Sequence, residues 1–386
     1  MPDPNDASTP WLLRVGLPVA LFALTTAVAP RHIAGVGVDD LYRGDIEAQG
    51  PLALEMARWA EREAGAEVGL TGSALFDAEW RLVSCQMTVL GLGQVIAAHP
   101  ETRDQHLPAM EACLDWMVTP EAMAFGAASW GERGKATEAL TAHAYLGYLN
   151  VALSMHRTHA PTSRFAALND QLTGALAARL RDEPPWALAT YPGEMYPADV
   201  STVVASIALY DDATGADHAA TLTPWVRRLL LAARDPDTGL LAQSLHPTTG
   251  RVVDGPRASG TAFVAYFLAF ADVEASRGLW EALKAHCYGT TLGFGGIDEY
   301  PPGASGGFGD VDSGPVVFGV GTSATGFAIA AARIHGDGEA YRALARTANL
   351  FGAPHQREGR RRFLMGGSIG NALMLAMLTA RGRRSP

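Results

Sequence analysis

The 386-residue chain is poor in cysteine and has no excess of positive charge. It has three cysteines, too few and too scattered for a disulfide framework, and none is in a CxxC or zinc-ligand spacing. Since each falls in an apolar helical pattern, we interpret Cys85, Cys113 and Cys287 as buried thiols. The formal net charge of −10 argues against a nucleic-acid partner, which would need clustered basic residues. We interpret the arginines near the C-terminus as solvated loop and tail charges: Arg357, Arg360, Arg361, Arg362, Arg381, Arg383 and Arg384.

The chain also lacks the short motifs that indicate a cofactor or a metal. HExxH, GxSxG, Walker and GxGxxG patterns in the required context are missing. Gly289–Gly296 is rich in glycine, but it follows a predicted helix rather than a strand, so it does not predict a phosphate loop. We therefore expect no cofactor, no metal and a small-molecule partner, with the oligomeric state left open.

One apolar run stands at the N-terminus. Val15–Ala29 is uncharged, follows Arg14 and precedes Pro30 and Arg31, which is typical of a signal sequence or a membrane anchor. Ala27-Val28-Ala29 resembles a cleavage site, but Pro30 directly after it disfavours cleavage, so attachment to a membrane through residues 11–29 stays open. We predict a signal or anchor over residues 1–32 and an extracytoplasmic protein; a buried first helix of a cytoplasmic domain is the alternative.

The remainder predicts a lead-in loop over residues 33–50 and one all-α domain over residues 51–386, with no convincing pair of strands. Twelve helices follow from the apolar periodicity. They are Pro51–Ala64, Asp77–Ala98, Arg103–Met117, Thr137–His156, Pro161–Arg181, Ala198–Asp212, Asp217–Arg234, Ala258–Asp272, Glu274–Cys287, Asp312–Ile334, Gly338–Leu350 and Gly367–Ala380.

Two alternations along these helices predict how they pack. Odd-numbered helices such as Asp217–Arg234 are amphipathic, whereas even-numbered ones such as Thr261–Phe270 and Ser368–Thr379 are apolar nearly all round and must be buried on every side. Connections that leave even helices are short, and several that leave odd helices are long. This indicates a double ring of twelve helices, an (α/α)6 barrel, with its long loops and its six inner helix N-termini at one end, where helix dipoles favour anionic groups. A helical solenoid that does not close is the alternative.

The long loops contain most of the candidate catalytic residues. Thr190–Asp199 brings two carboxylates, Glu194 and Asp199, and two tyrosines, Tyr191 and Tyr196, to the start of an inner helix; capping would account for Asp199 but not for the others. Asp310 and Asp312 lie in a glycine-rich segment before another inner helix and could hold one proton between them. A cap and a turn explain that pair equally well.

Further candidates come from the lead-in loop, the fourth helix and the other loops. Asp40 and Tyr42 could fold over the cleft, although a solvated linker explains them as well. His143 is a candidate acid–base residue, although a core histidine is the commoner finding on an apolar helix. The remaining candidates would line the substrate pocket together with Tyr191 and Tyr196: they are Tyr145, His246, Tyr300 and Phe308.

From about Thr137 to Leu350 the chain resembles the linalool dehydratase/isomerase-like family, whose fold is an (α/α)6 barrel. The resemblance lies in Asp235–Leu240, Ser244–Gly250, Thr261–Phe270, Asp310–Gly314 and His335–Asp337. The paired cysteines of that family have no counterpart here, since the matching stretch carries Thr190 and Asp199. The histidine of its fourth helix falls at Tyr145, two residues from His143, and its early Asp and Tyr match Asp39 or Asp40 and Tyr42.

The resemblance implies a divergent lyase or isomerase that acts by acid–base catalysis on an apolar alcohol or alkene, with terpenoids as one candidate class. One alternative is a carbohydrate-active hydrolase or lyase, because paired acids and the loop residues Trp130 and Trp186 also suit a sugar cleft. A second alternative is a non-catalytic binding protein at a membrane. An apolar pocket around Glu194 and Asp199 would favour the first hypothesis, and an open groove with exposed Trp would favour the second.

Overall fold

The computed structural model describes residues 15–66, 73–130, 143–304, 306–310 and 313–383. Within these ranges α-helices form most of the structure. They are α1 (Leu17–Ala34), α2 (Val38–Arg43), α3 (Ile46–Glu63), α4 (Ala74–Ala98), α5 (Arg103–Met117), α6 (Pro120–Trp130), α7 (His143–His159), α8 (Ala166–Asp182), α9 (Pro197–Thr214), α10 (Ala219–Ala233), α11 (Ala258–Leu268), α12 (Val273–His286), α13 (Thr322–Ile334), α14 (Gly338–Gly352) and α15 (Gly367–Leu378).

Twelve of these helices form two concentric rings. The inner ring is α4, α7, α9, α11, α13 and α15; each packs against the next, and α15 packs against α4, which closes the ring. The outer ring is α3, α5, α8, α10, α12 and α14, placed between and behind the inner helices. The all-α (α/α)6 barrel predicted from the sequence is confirmed, and the open solenoid is excluded.

Helix composition explains this division. Nearly every residue of α11 is buried, whereas α14 buries one stripe, including Tyr341 and Leu344, and turns its charged face outward. Small residues allow the inner helices to approach closely: a Cβ atom at Gly91 of α4 would lie 2.5 Å from Cγ of Leu375 on α15. The inner ring therefore depends on glycine where backbones meet.

Connection lengths separate the two ends of the barrel. Short turns at residues 99–102, 160–165, 215–218, 269–272 and 335–337 lead from inner to outer helices. The long connections all enter inner helices at the opposite end, which we call the rim; they are residues 64–73, 118–142, 183–196, 234–257, 287–321 and 353–366. The N-termini of the inner helices thus meet at the rim, as predicted.

The rim carries four two-stranded antiparallel hairpins that the sequence analysis did not predict. They pair β1 (Ala242–Leu245) with β2 (Val252–Pro256), β3 (Tyr288–Thr291) with β4 (Phe294–Ile297), β5 (Val316–Val317) with β6 (Val320–Gly321), and β7 (Pro354–Arg357) with β8 (Arg360–Phe363). In the last three, a non-glycine residue at positive φ precedes a glycine at positive φ, which is the backbone of a type I′ turn. The predicted helix start at Asp312 is wrong, because β5 and β6 precede α13.

The predicted loop over residues 33–50 is also wrong, because it contains α2 and the start of α3. Arg333 of α13 holds this segment to the end of α15: its guanidinium donates to the carbonyl of Ala380 (2.6 Å) and lies 3.4 Å from the carbonyl of Tyr42. Two stretches within the described ranges are long and apolar enough to cross a membrane. The one in α4 is a core helix, whereas the apolar window that begins at Leu17 is only 6% buried.

Candidate functional site

Three side chains from three inner helices meet at the rim end of the barrel. Glu79 lies in the second turn of α4, Tyr148 in the second turn of α7, and Asp199 in the first turn of α9. The Tyr148 hydroxyl lies 2.5 Å from Oδ1 of Asp199 and 3.2 Å from Oε1 of Glu79. Two carboxylates far apart in sequence are thus bridged by one phenol.

A fourth side chain joins this cluster from the connection before α9. The Tyr191 hydroxyl donates a 3.0 Å hydrogen bond to Oε2 of Glu79. Tyr191 begins a tight turn that Glu194 closes with a 3.0 Å backbone hydrogen bond, and Gly193 supplies the positive φ of 89° that the turn requires. Since Pro192 and Gly193 occupy the two central positions of this turn, the local sequence fixes the direction of Tyr191.

Glu194 lies at the outer edge of the cluster. Its Oε2 accepts a 3.0 Å hydrogen bond from the Tyr196 hydroxyl, and the rings of Tyr196 and Tyr191 pack edge to face at 6.3 Å. Glu194 is exposed, whereas Asp199 is half-buried. The structure therefore brings four predicted residues, Tyr191, Glu194, Tyr196 and Asp199, into one cluster with Glu79 and Tyr148, which the sequence analysis missed.

The hydrogen bonds between Tyr148, Glu79 and Asp199 depend on how many hydrogens these three groups carry. Burial, followed by the negative charges of Asp199 and Glu79, raises the pKa of Tyr148 far above its ordinary value, so the phenol keeps its hydrogen. One hydroxyl hydrogen can serve only one carboxylate at a time. A proton on one of the carboxyl groups would allow both contacts to be hydrogen bonds, which is the arrangement that separates a general acid from a base.

A second cluster lies at the rim ends of α11 and α13. Glu299 follows β4 and is fully buried; its Oε1 accepts a 2.5 Å hydrogen bond from Ser259 of α11. Arg257 pairs with Asp310 and with Asp254, the latter at 3.1 Å, and stacks over the ring of Tyr300. The predicted residues Asp310 and Tyr300 belong to this cluster, which has no described contact with Asp199.

The two acids of the second cluster have opposite electrostatic environments. Burial raises the pKa of Glu299 to about 7, against the hydrogen bond from Ser259 and the charge of Arg257, and its Oε2 has no hydrogen-bond partner. Burial also acts to raise the pKa of Asp310, but hydrogen bonds from Ser313 and Arg257 outweigh it and lower the pKa. Asp310 is therefore an ionised partner of Arg257 and closes a turn with Ser313.

Asp40 and Tyr42 do not fold over the cleft. Tyr42 packs against Tyr341 with ring centroids 5.1 Å apart and lies beside Gly338, which begins α14 at the end opposite the rim. Asp40 pairs with Arg43 on the same short helix. The prediction that this segment covers the site is wrong, because α2 is bound to the outer ring.

The other candidates are dispersed. Tyr145 is buried between the rings, and its hydroxyl donates a 2.9 Å hydrogen bond to the Met117 carbonyl of α5, so it does not line the cleft. His246 is exposed in the β1–β2 turn and accepts a hydrogen bond from the backbone of Thr248. Phe308 is almost fully exposed. Asp312 and the side chain of His143 lie outside the described residues.

Glu79 and Tyr148 have the same sequence signal as Asp199, which is a position near the start of an inner helix. Both lie within two turns of the N-terminus of an inner helix, which is where the argument placed Asp199. Glu299 gives no such signal, because the strand before it was not predicted. Among the described residues no group of three His, Cys, Asp or Glu side chains could hold a metal ion.

A groove of about 420 Å³ lies elsewhere, on the outer side of the barrel between α3 and the β7–β8 hairpin. Its lining is charged, with Arg58, Arg357, Arg360 and Arg362 facing Glu55, Glu63 and Glu358. The clustered acids Glu79 and Asp199 are not part of its lining, so we do not assign the chemistry to it.

Comparison with known proteins gives a fold and no family. No protein family matches the sequence, and no curated protein does. Among solved structures, the unsaturated glucuronyl hydrolase of Bacillus sp. GL1 is similar with a TM-score of 0.52 and 12% identity, over 85% of this chain and 94% of that one. The GH76A α-1,6-mannanase of Salegentibacter sp. HEL1_6 has a TM-score of 0.53 and 12% identity, over 86% and 98%.

A third similar structure is an unsaturated glucuronyl hydrolase specific for heparin, with a TM-score of 0.52 and 10% identity, over 88% of this chain and 96% of that one. These neighbours are enzymes that act on carbohydrates, and they share the barrel with this chain. The predicted membership of the linalool dehydratase/isomerase-like family is wrong, because the structural neighbours are glycoside-processing barrels. The terpenoid lyase or isomerase activity implied by that resemblance is overturned with it.

Proposed function

We propose that this protein is a carbohydrate-active enzyme that cleaves a glycosidic bond by acid–base catalysis at Glu79 and Asp199. The observation that supports the proposal most directly is the pair of carboxylates bridged by Tyr148 at the rim of the barrel. Glycoside hydrolysis needs two carboxyl groups in unlike protonation states on either side of the scissile bond. The shared phenol favours one protonated and one ionised carboxyl group.

In the proposed reaction the protonated carboxyl group gives its hydrogen to the glycosidic oxygen as the bond breaks. The ionised carboxylate then acts on the sugar as a nucleophile or a base. Tyr148 and Tyr191 hold Glu79 by its two oxygens, so the carboxylate presents a fixed face to the cleft. Tyr148 is a positioning residue in this scheme, because its buried hydroxyl acts through the two acids.

The composition of the rim also favours a sugar over an apolar substrate. The hydroxyl groups of Tyr148 and Tyr196 contact Asp199 and Glu194, and Trp130, which donates to the Thr190 carbonyl, is half-buried beside the Tyr191 turn. Aromatic rings next to polar groups are suited to sugars, which have apolar faces and hydroxyl edges.

The test is an activity screen with oligosaccharides. The panel contains the substrate classes named for the similar structures, oligosaccharides ending in an unsaturated glucuronyl residue and α-1,6-linked mannooligosaccharides. New reducing ends report hydrolysis, and ultraviolet absorbance of a new double bond reports elimination. We expect Glu79→Gln and Asp199→Asn each to lower kcat/KM by roughly 10²-fold or more.

The matched control is Asp104→Asn, because the Asp104 side chain is 92% exposed and lies at the start of α5, at the end opposite the rim. It should keep full activity. Cleavage that persists in both Glu79→Gln and Asp199→Asn would overturn the assignment of these acids, and the absence of cleavage of any glycan in a broad panel would overturn the proposed function.

A further inference from the structure

The C-terminal end of α1 is fixed between two rim hairpins. On one side the Arg31 side chain lies against the β3–β4 turn, where a Cβ atom at Gly293 would come within 2.6 Å of Arg31 Nε. On the other side Asn349 donates a 2.7 Å hydrogen bond to the Ala34 carbonyl and accepts one of 2.9 Å from Arg361 of β8. These contacts determine where α1 leaves the barrel.

Before that point, α1 has an apolar surface without protein cover. Leu17, Leu21 and Phe22 are each more than three-fifths exposed, and the apolar window that begins at Leu17 is 6% buried. The part of α1 before Arg31, residues 17–30, spans about 21 Å at the helical rise, which is about two thirds of the roughly 30 Å of a bilayer hydrocarbon core. An uncovered apolar helix of this length is suited to lipid rather than water.

The barrel surface around this exit point carries further exposed apolar side chains. Leu292 stands at the tip of the β3–β4 hairpin with φ of 53°, a conformation that bulky residues rarely adopt. Phe351 at the end of α14, and Leu364 and Met365 between β8 and α15, are each more than half exposed. They follow or precede the β7–β8 hairpin, so they lie on the same side as the α1 exit.

The same side carries positive charge. Between Pro354 and Phe363 the chain has four arginines and one glutamate. Arg360 is neutralised by Glu55 (3.2 Å) and Glu358 (2.9 Å), and Arg357 lies 3.4 Å from the same Glu358. Arg361 donates to Asn349, whereas Arg362 is exposed and has no acidic partner among the described residues. Apolar tips next to a basic hairpin match the chemistry of an anionic membrane surface, with acyl chains below and phosphates above.

We propose that the β7–β8 hairpin and the apolar residues Leu292, Phe351, Leu364 and Met365 form a surface that lies on an anionic bilayer when α1 is inserted. We call these residues the membrane face. The inserted helix brings the barrel to the bilayer, and the membrane face sets its orientation, with phosphate groups at the arginines. This inference is independent of the glycosidic chemistry.

Depth-dependent quenching of a fluorescent label tests the proposal in the full chain. The three native cysteines are buried, so a thiol dye reports a single introduced cysteine. Met365→Cys places the dye on the membrane face, and Leu231→Cys places it on α10, where the leucine is 75% exposed. In phosphatidylglycerol–phosphatidylcholine vesicles with brominated acyl chains, we expect quenching at position 365 to be severalfold stronger than at position 231.

Two further measurements test whether the arginines of the β7–β8 hairpin contribute to binding. Pure phosphatidylcholine vesicles, or the triple variant Arg357→Gln, Arg360→Gln, Arg362→Gln, should each lower the quenching at position 365 toward the value at position 231. Unchanged quenching in both arms would overturn the role of the arginines. Equal quenching at positions 365 and 231, or a chain that does not float with vesicles, would overturn the membrane face as a whole.

Discussion

The Tyr148 hydroxyl stands 2.5 Å from Oδ1 of Asp199, although the two residues lie on different inner helices. The contact exists because α7 and α9 are neighbours in the inner ring and both begin at the rim. Glu79 on α4 completes the bridge from the other side of α7. The three residues thus depend on the order of the helices in the ring.

Removal of the bridging hydroxyl should change both the rate and the pH profile. A hydrogen bond from Tyr148 stabilises the ionised carboxylate of the pair, so Tyr148→Phe should raise the apparent pKa of that carboxyl group and shift the acidic limb of kcat/KM to higher pH. Loss of a hydrogen bond to a charged group corresponds to roughly 10–100-fold in rate. A uniform loss of activity with an unshifted profile would show that Tyr148 has only a packing role.

The stereochemistry of hydrolysis should follow from the spacing of the acids. One oxygen of each carboxylate contacts the same hydroxyl, so these two oxygens lie within about 6 Å of each other; this is nearer to the roughly 5–5.5 Å of retaining pairs than to the roughly 6.5–9.5 Å of inverting pairs. We therefore expect retention of anomeric configuration. Proton NMR of the first-formed product distinguishes the two outcomes, and inversion would contradict the roles of Glu79 and Asp199 as an acid and a nucleophile.

Glu299 should make the protein less stable as the pH rises. Its pKa is raised to about 7 in the fold, above the ordinary value of 4.5, so its contribution is fully present below pH 4.5 and is lost as the pH rises through 7. The difference corresponds to a free energy of unfolding on the order of 3 kcal/mol. Urea denaturation of the wild type and of Glu299→Gln between pH 4.5 and 8 measures it.

The informative quantity is the difference between the two pH profiles, because other groups titrate in the same range. Glu299→Gln cannot ionise, so its stability should fall less than that of the wild type as the pH rises. Parallel profiles would mean that Glu299 ionises in the folded protein at an ordinary pH.

Closure of the inner ring should be sensitive to one methyl group. Gly91→Ala would place a Cβ atom 2.5 Å from Leu375 Cγ and 3.1 Å from the backbone nitrogen of Ala376, so we expect a loss of about 1–3 kcal/mol in stability. Gly174→Ala is the control, because it lies in α8 with nothing within 4 Å of the new atom. It should stabilise the chain by about 0.5–1 kcal/mol.

Thermal or urea unfolding of both variants makes the comparison. If Gly91→Ala were as stable as Gly174→Ala, α4 and α15 would not be in close contact, and the ring would be open at that seam.

The fold could be predicted from the sequence because the buried faces of helices appear as a periodic pattern of apolar residues. Helices such as α11 have no polar face, and the loop lengths alternate, so two rings with one functional end follow. The hairpins were missed because their turns are Leu292-Gly293, Phe318-Gly319 and Glu358-Gly359 rather than the usual Asn-Gly or Asp-Gly. Two-residue and four-residue strands are also too short to show alternation.

The site could be predicted only in part, because contacts between helices depend on their rotation about their own axes. Asp199 could be predicted because it lies in the first turn of an inner helix, and Tyr191 because it lies in the connection that leads to that helix. Tyr145 and Tyr148 lie on the same helix, yet one donates to α5 in the outer ring and the other to α9 in the inner ring. Nothing in the local sequence distinguishes these two directions, and the family resemblance points to Tyr145 alone, so Tyr148 is not predicted.

Arg333 joins Ala380, just after α15, to Tyr42, just before α3. Each of the other five inner helices is linked to the next outer helix by a short turn of the chain, whereas α15 and α3 have no such turn between them within the described ranges, and this side chain joins their ends. The ring of helices is closed in space, but the chain that forms it is interrupted between α15 and α3. A circularly permuted chain, with new ends at the turn around Gly215 and a linker from residue 383 to residue 46, would omit α1 and α2 but keep all twelve helices of the two rings, and the guanidinium at position 333 would then be dispensable.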